Sequence, residues 1–173
     1  MKEKEMILLV DENDKEMGYG EKHEVHKKGL FHRAFSIFIF NSKNQLLLQK
    51  REKNKYHSPG LWTNTCCSHQ RQNEELSDAI HRRLKEEMGF DTELKEAFTF
   101  SYNFKFHEEL SENEFDHVYI GHYEGDIIPN PQEVEDYKWV DLEELKQDIE
   151  KNPDKYTYWF KICFPKVASI MEK

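Results

Sequence analysis

The chain has 173 residues, of which 34% are charged and 13% are aromatic, and its formal net charge is -9. This length predicts one compact domain over residues 1–173, and the aromatic content excludes an intrinsically disordered chain. The negative charge disfavours nucleic acid and anionic membranes as partners, so an anionic ligand would require a local cluster of cations.

The cysteines and the apolar segments predict a cytoplasmic protein. There are three cysteines, an odd number, and Cys66 is adjacent to Cys67, which disfavours a disulfide framework. The run Ala34–Phe40 is too short to span a membrane, and Ile7–Val10 is too short for a secretory signal. We expect no membrane association and either a monomer or a weak homodimer.

The predicted elements mix strands with helices along the whole chain. Strands are predicted at Glu5–Val10, His32–Phe40, Leu46–Arg51, Phe98–Phe106, Glu112–Tyr123 and Tyr137–Val140. Helices are predicted at Glu74–Met88 before the C-cap Gly89, at Leu142–Lys151 after the N-cap Asp141, and at Trp159–Met171. A turn at Asp11–Asp14, a loop or short helix at Lys22–His26, a hairpin turn at Asn41–Asn44 and a polar loop at Lys53–Gly60 connect them. This pattern predicts an α+β fold with a mixed sheet sandwiched by helices.

The segment from Trp62 to His69 carries the strongest chemical signal. It places a thiol, Cys67, two positions before an imidazole, His69. In an extended backbone, side chains two positions apart lie on the same face. Cys67 and His69 are therefore predicted to point into one pocket while Cys66 points away, which puts a reactive sulfur beside a metal ligand.

The predicted helix Glu74–Met88 carries charges on its inner face. Its apolar stripe comprises Leu76, Ala79, Ile80, Leu84 and Met88. Arg83 and Glu87 fall inside this stripe, whereas Glu86 lies off it. One interpretation is an ion pair four residues apart at the helix rim. The other is a carboxylate directed at a metal and a guanidinium directed at an anion, and the helical wheel alone leaves both open.

The same helix resembles the end of the Nudix box, R-E-U-x-E-E-x-G-U, over residues 82–90, with Glu74 at the spacing of the earlier glutamate of that motif. Two positions depart from the box: Ser68 replaces a glycine and Arg83 replaces an acidic residue. In Nudix hydrolases that acidic residue helps to hold the metals used in diphosphate cleavage. The resemblance therefore implies a Nudix-like fold, while Arg83 disfavours diphosphate hydrolysis.

Over nearly its whole length the chain resembles the type 1 isopentenyl-diphosphate isomerases, a branch of the Nudix fold. The resemblance assigns the metal ligands His26, His32, His69, Glu112 and Glu114. Three imidazoles with two carboxylates suit one Zn²⁺ or Mn²⁺. Any single histidine more often has a surface or core role, and His23 is the nearest rival of His26. The other histidines without a match are His57, His81, His107, His117 and His122.

The resemblance also implies a reaction, the conversion of isopentenyl diphosphate to dimethylallyl diphosphate in isoprenoid biosynthesis. Cys67 and Glu114 would be the facing acid and base, with Tyr102 hydrogen-bonded beside them and Trp159 stabilising a carbocation-like state. Residues matching diphosphate contacts are Lys22, Arg51, Lys55 and Arg83, and Glu87 would hold a Mg²⁺ bound to the substrate diphosphate. No flavin is expected. The alternatives are a Nudix hydrolase of a nucleoside or other diphosphate and a non-catalytic regulator that retained the fold.

Overall fold

The computed structural model describes residues 5–55, 57–108 and 110–173, so residue 56 of the predicted loop Lys53–Gly60 lies outside the described ranges. The strands are β1 Met6–Val10, β2 Glu16–Glu21, β3 His32–Phe40, β4 Gln45–Arg51, β5 Trp62–Thr63, β6 Cys66–Ser68, β7 Leu94–His107, β8 Leu110–His122 and β9 Val134–Asp141. The helices are α1 Lys22–Lys28, α2 Leu76–Met88, α3 Leu142–Lys151 and α4 Tyr158–Met171, with a 3₁₀ turn at Pro153–Lys155. Within these ranges no helix is both long and apolar enough to cross a bilayer.

Strand β3 is the centre of a mixed sheet. It pairs in parallel with β8 over its full length and antiparallel with β1, β4 and β6. Strand β7 extends the sheet beyond β8, and β9 extends it beyond β4. Eight of the nine residues of β3 are buried, as expected for a strand that is covered on both faces.

The two faces of β3 contact different helices because successive side chains alternate across a strand. Phe35, Ile37 and Ile39 pack with α2, whereas Phe38 and Phe40 pack with α3 and α4. Helices therefore cover both sides of a mixed sheet. The predicted α+β fold with a sandwiched sheet is confirmed.

Several predicted boundaries differ from the structure. Strand β2 is not among the predicted strands, because its sequence EMGYGE contains two glycines, a residue type depleted in strands. The predicted hairpin turn forms, but β3 and β4 pair only at Phe40 and Leu46 before they diverge to other partners. Helix α2 begins at Leu76 rather than Glu74, since Glu75 has an extended backbone (φ -77°, ψ 147°) and is the N-cap. Strand β7 begins at Leu94, four residues before the predicted start.

Gly89 ends α2 as predicted from the sequence. It has φ 74°, and its backbone N–H donates to the carbonyl of Lys85. A Cβ at this position would lie 2.2 Å from the carbonyl oxygen of Ile128. Both the left-handed conformation and this close approach require glycine.

Candidate active site

Five side chains predicted to bind a metal converge on the α4 side of the sheet. His26 lies in the last turn of α1, His32 begins β3, His69 follows β6, and Glu112 and Glu114 lie on β8. All five are buried, and one donor atom from each lies within 4.8 Å of the others. The parallel register of β3 and β8 places His32 opposite Glu114, and period-two alternation brings Glu112 to the same face.

Hydrogen bonds fix the tautomers of two of these histidines. His26 Nδ1 lies 2.6 Å from the carbonyl oxygen of Lys22, and His32 Nδ1 lies 2.9 Å from that of Leu30. A carbonyl oxygen can only accept, so each Nδ1 carries a proton, and each Nε2 is left as the ring atom that can bind a metal. These Nε2 atoms lie 3.1 Å from Glu112 Oε1 and 3.4 Å from Glu114 Oε1, respectively.

This arrangement of lone pairs fits a bound cation. Among the described residues, His32 Nε2 and Glu112 Oε2 are buried and have no hydrogen-bond partner. Burial and the neighbouring His69 and His32 lower the pKa of His26 to about 3, so its imidazole is neutral at physiological pH. Neutral imidazoles and carboxylates with orienting hydrogen bonds are the ligand set that Zn²⁺ or Mn²⁺ takes in proteins.

A partly open cleft adjoins the cluster, and most of the predicted site residues line it. Ten of the site residues predicted from the sequence line this cleft: Lys22, Arg51, Lys55, Cys67, His69, Arg83, Tyr102, Glu112, Glu114 and Trp159. The others are Ala34, Phe35, His57, Ser68 and Asp116. Cys67 and Glu114 thus contribute to the walls of one cavity. His26 and His32 lie outside this lining, in the adjoining cluster of histidines and glutamates.

The two adjacent thiols point to opposite sides, as the alternation predicts. Cys66 packs on the α2 side and its Sγ donates to Glu87 Oε2 at 3.2 Å, whereas Cys67 lines the cleft. Burial raises the pKa of the Cys67 thiol to about 12, and the opposing effect of Arg51, whose Nη1 lies 4.0 Å from Sγ, is smaller. Cys67 therefore carries a proton at neutral pH.

Tyr102 and Trp159 form the aromatic part of the cleft. Tyr102 lies opposite Glu114 in the antiparallel register of β7 and β8, and burial and the nearby Glu114 raise the pKa of its phenol well above the usual range. Trp159 comes from the first turn of α4. Its indole Nε1 donates to Asn64 Oδ1 at 3.3 Å, and the guanidinium of Arg51 lies 5.4 Å from the ring centroid.

The two inner charges of helix α2 pair with each other in the structure. Arg83 Nη2 lies 3.0 Å from Glu87 Oε2, so the ion pair forms. Glu87 is buried, however, and it also accepts from Gln49 Nε2 at 3.0 Å and from Cys66. The pair therefore lies inside the protein and not at the helix rim. Arg83 reaches the cleft, and Glu87 lies behind it, outside the lining set.

The sequence did not predict two titratable residues that line the cleft, Asp116 and His57. Asp116 continues the alternation of Glu112 and Glu114 along β8, and that period of two was a signal that could have found it. Ser36 Oγ donates a hydrogen bond to Asp116 Oδ2 at 2.9 Å. His57 arrives from a loop, where no periodicity points to it, and its Nε2 lies 2.9 Å from Glu112 Oε1. The rival His23 is exposed on α1, whereas His26 is buried in the cluster.

Comparisons with known proteins agree with this geometry. The family model described as the NUDIX domain matches residues 30–160. The chain is 52% identical over 95% of its length to an isopentenyl-diphosphate Delta-isomerase 2 of Aromatoleum aromaticum, covering 87% of that protein. It is also 52% identical over 91% of its length to one of Photorhabdus laumondii, covering 89% of that protein. The chain belongs to the isopentenyl-diphosphate Delta-isomerases of the Nudix family.

A solved structure supports the fold assignment independently of close sequence identity. A crystal structure of a MutT NUDIX hydrolase of Burkholderia pseudomallei superposes with a TM-score of 0.64 at 20% identity, covering 79% of this chain and 98% of that one. At this identity the likeness establishes the Nudix fold alone. The predicted Nudix-like fold of this isomerase family member is confirmed.

Proposed function

We propose that this protein converts isopentenyl diphosphate to dimethylallyl diphosphate by moving one double bond. The observation that carries the proposal is the joint position of Cys67 and Glu114 on the walls of one cleft beside the histidine and glutamate cluster. The name shared by relatives that are 52% identical over most of the chain supports the same reaction.

The reaction requires one group that donates a proton and one that accepts a proton. The terminal alkene carbon gains a proton, a tertiary carbocation-like state forms, and the carbon next to the diphosphate-bearing carbon loses a proton. We assign these two transfers to the Cys67 thiol and the Glu114 carboxyl, with Tyr102 as the hydrogen-bonding residue beside Glu114. The two groups exchange protonation states in each turnover, so the same pair serves the reaction in both directions.

The surrounding residues would stabilise the intermediate charge and exclude water. Trp159 offers a π-face to the carbocation-like state, a contact worth about 0.5–2 kcal/mol. The indole orientation is supported by the hydrogen bond from its Nε1 to Asn64, a residue that is itself fully buried. Phe35 and Ala34 complete the apolar part of the wall. A dry wall of this kind protects a reactive cation from hydrolysis.

Ligand binding would divide between two groups of residues. His26, His32, His69, Glu112 and Glu114 would hold one Zn²⁺ or Mn²⁺, which would supply a charge that tunes the acidity of the Glu114 carboxyl. Lys22, Arg51, Lys55 and Arg83 reach the cleft and would bind the diphosphate. Glu87 would bind the Mg²⁺ that accompanies the diphosphate, a role that requires its oxygens to become available from Arg83.

The cellular setting is part of the same proposal. Cys66, Cys67 and Cys163 are free thiols, which supports a reducing cytoplasm. The chain would act as one domain over residues 1–173, as a monomer or weak homodimer with a small prenyl diphosphate as its partner.

The test is an assay of purified protein with Mn²⁺, Mg²⁺ and isopentenyl diphosphate, with dimethylallyl product followed by chromatography. In parallel, the protein is incubated with nucleoside diphosphates and phosphate release is followed. We expect allylic product without phosphate release, since Arg83 replaces the acidic residue that Nudix hydrolases use. Phosphate release without allylic product would overturn the isomerase proposal in favour of hydrolysis.

A further inference from the structure

We propose that His57 positions the metal-binding carboxylate Glu112 by donating a hydrogen bond from Nε2 to Oε1, an inference that rests on the metal site of the proposed function. His57 is outside the set of five residues whose donor atoms converge. Its Nε2 lies 2.9 Å from Glu112 Oε1, which is hydrogen-bond distance. It would therefore act on the metal through Glu112 and not as a ligand.

The chemistry of Glu112 assigns the direction of this hydrogen bond. A metal-bound carboxylate is ionised, and an ionised oxygen can only accept. The proton must then come from His57 Nε2. His26 Nε2, at 3.1 Å from the same Oε1, presents a lone pair because its proton is on Nδ1. Of these two imidazoles, His57 is the one that can donate to Glu112, and Oε2, which lies 3.7 Å from His32 Nε2, stays without a hydrogen bond among the described residues.

Three contacts hold His57 in place, two on its ring and one on its backbone carbonyl. It stacks on Phe106 with centroids 5.3 Å apart at 24°, and it meets Trp159 edge-on at 5.7 Å and 82°. Arg51 Nη2 donates to the carbonyl oxygen of His57 at 3.2 Å. Only 8% of the residue is exposed. A hydrogen-bond donor that is fixed in this way orients a ligand carboxylate before the metal arrives, and loss of such a partner costs about 10–100-fold in metal affinity.

Two substitutions separate the hydrogen bond from the aromatic wall. His57→Phe keeps a ring against Phe106 and Trp159 but has no donor. His57→Gln removes the ring and places an amide N–H near the position of Nε2. The matched control is His122→Phe, at an exposed histidine at the other end of β8.

The measurement is Mn²⁺ affinity of metal-stripped protein by competition with a chelating dye, with folding checked by circular dichroism. We expect His57→Phe to bind Mn²⁺ about tenfold more weakly, His57→Gln to remain within about threefold of the unsubstituted protein, and His122→Phe to be unchanged. Unchanged affinity in His57→Phe, or an equal loss in both His57 variants, would overturn the proposal. If His57→Phe does not fold, His57→Asn takes its place, because its shorter amide does not reach Glu112. If His57→Asn then bound Mn²⁺ as tightly as His57→Gln, the proposal would be overturned.

The experiments distinguish failure of the proposed role of His57 from failure of the proposed isomerase activity. A protein that binds Mn²⁺ with the expected pattern but does not isomerise isopentenyl diphosphate would overturn the proposed function and leave the role of His57 standing. An active isomerase with Mn²⁺ affinity unchanged by His57→Phe would do the reverse. Absence of saturable Mn²⁺ binding in the unsubstituted protein would overturn the role of His57 together with the metal site.

Discussion

On the α2 side of the sheet, Glu74 and Glu87 pair with arginines, whereas on the α4 side Glu112 and Glu114 face imidazoles. Glu74 lies 2.6 Å from Arg82 Nε, and Glu87 lies 3.0 Å from Arg83 Nη2. Glu112 Oε2 is buried without a hydrogen-bond partner among the described residues. Burying an ionised group is costly unless it is paired or bound to a metal. The comparison shows that arginines of helix α2 pair with the carboxylates on their side of the sheet, while the carboxylates of the opposite face are arranged to receive a cation.

Replacing the cleft thiol is expected to have the largest effect. Cys67→Ala should lower turnover of isopentenyl diphosphate by roughly 10³-fold, because a positioned acid or base contributes about 10²–10⁴-fold. Metal content by elemental analysis should not change. The matched variant is Cys66→Ala, on the α2 side, which should stay within about threefold in turnover and lose about 1 kcal/mol of stability with its bond to Glu87. Equal activity of Cys67→Ala and Cys66→Ala would remove Cys67 from the mechanism.

Removal of one imidazole on the α4 side should weaken the metal site. His69→Ala removes one of the five converging donor atoms, and we expect Mn²⁺ affinity to fall by more than the roughly 10–100-fold that loss of an orienting partner costs. Elemental analysis after gel filtration should show substoichiometric metal. His122→Ala serves as the control. Full metal stoichiometry in His69→Ala would contradict the ligand assignment and weaken the contrast between the two faces.

Substitution of Glu87 tests whether the carboxylates on the α2 side contribute to activity or only to stability. If Glu87 binds the Mg²⁺ of the diphosphate, Glu87→Gln should lower kcat/KM by roughly 30-fold at limiting Mg²⁺, equivalent to about 2 kcal/mol for an interaction with a charged group. The bound transition metal should be unaffected. Glu74→Gln, on the same side and paired with Arg82, should change stability but leave the Mg²⁺ dependence intact. Identical Mg²⁺ titrations for Glu87→Gln and unsubstituted protein would confine Glu87 to structure.

The pKa of Cys67 predicts how the rate of its alkylation depends on pH. Burial raises this pKa to about 12, so the reactive thiolate is a small fraction at neutral pH and grows about tenfold per pH unit below that value. Alkylation of Cys67 by iodoacetamide, followed by peptide mass spectrometry, should therefore keep rising to pH 9.5. A plateau near pH 7 would show that the cleft stabilises the thiolate.

Much of the site could be predicted because the direction of many of its side chains depends only on the neighbouring residues in the sequence. The alternation of Glu112 and Glu114, the opposite orientation of Cys66 and Cys67, and the cap at Gly89 depend on backbone period and conformation within a few residues. The resemblance to an isomerase family supplied the assignment of His26 over His23, which local pattern did not decide. The structure agrees, since His26 is buried in the cluster and His23 is exposed.

The sequence by itself determined six of the nine strands and the main helices, which side chains share a face, and that Arg83 and Glu87 lie on an inner stripe. Only the tertiary structure decided that β3 pairs with β8, that Glu87 is satisfied by Arg83, Gln49 and Cys66, and that His57 reaches Glu112 from a loop. The reason is physical. Side-chain direction follows from local backbone geometry, whereas strand register and loop placement follow from burial shared by residues far apart in the chain.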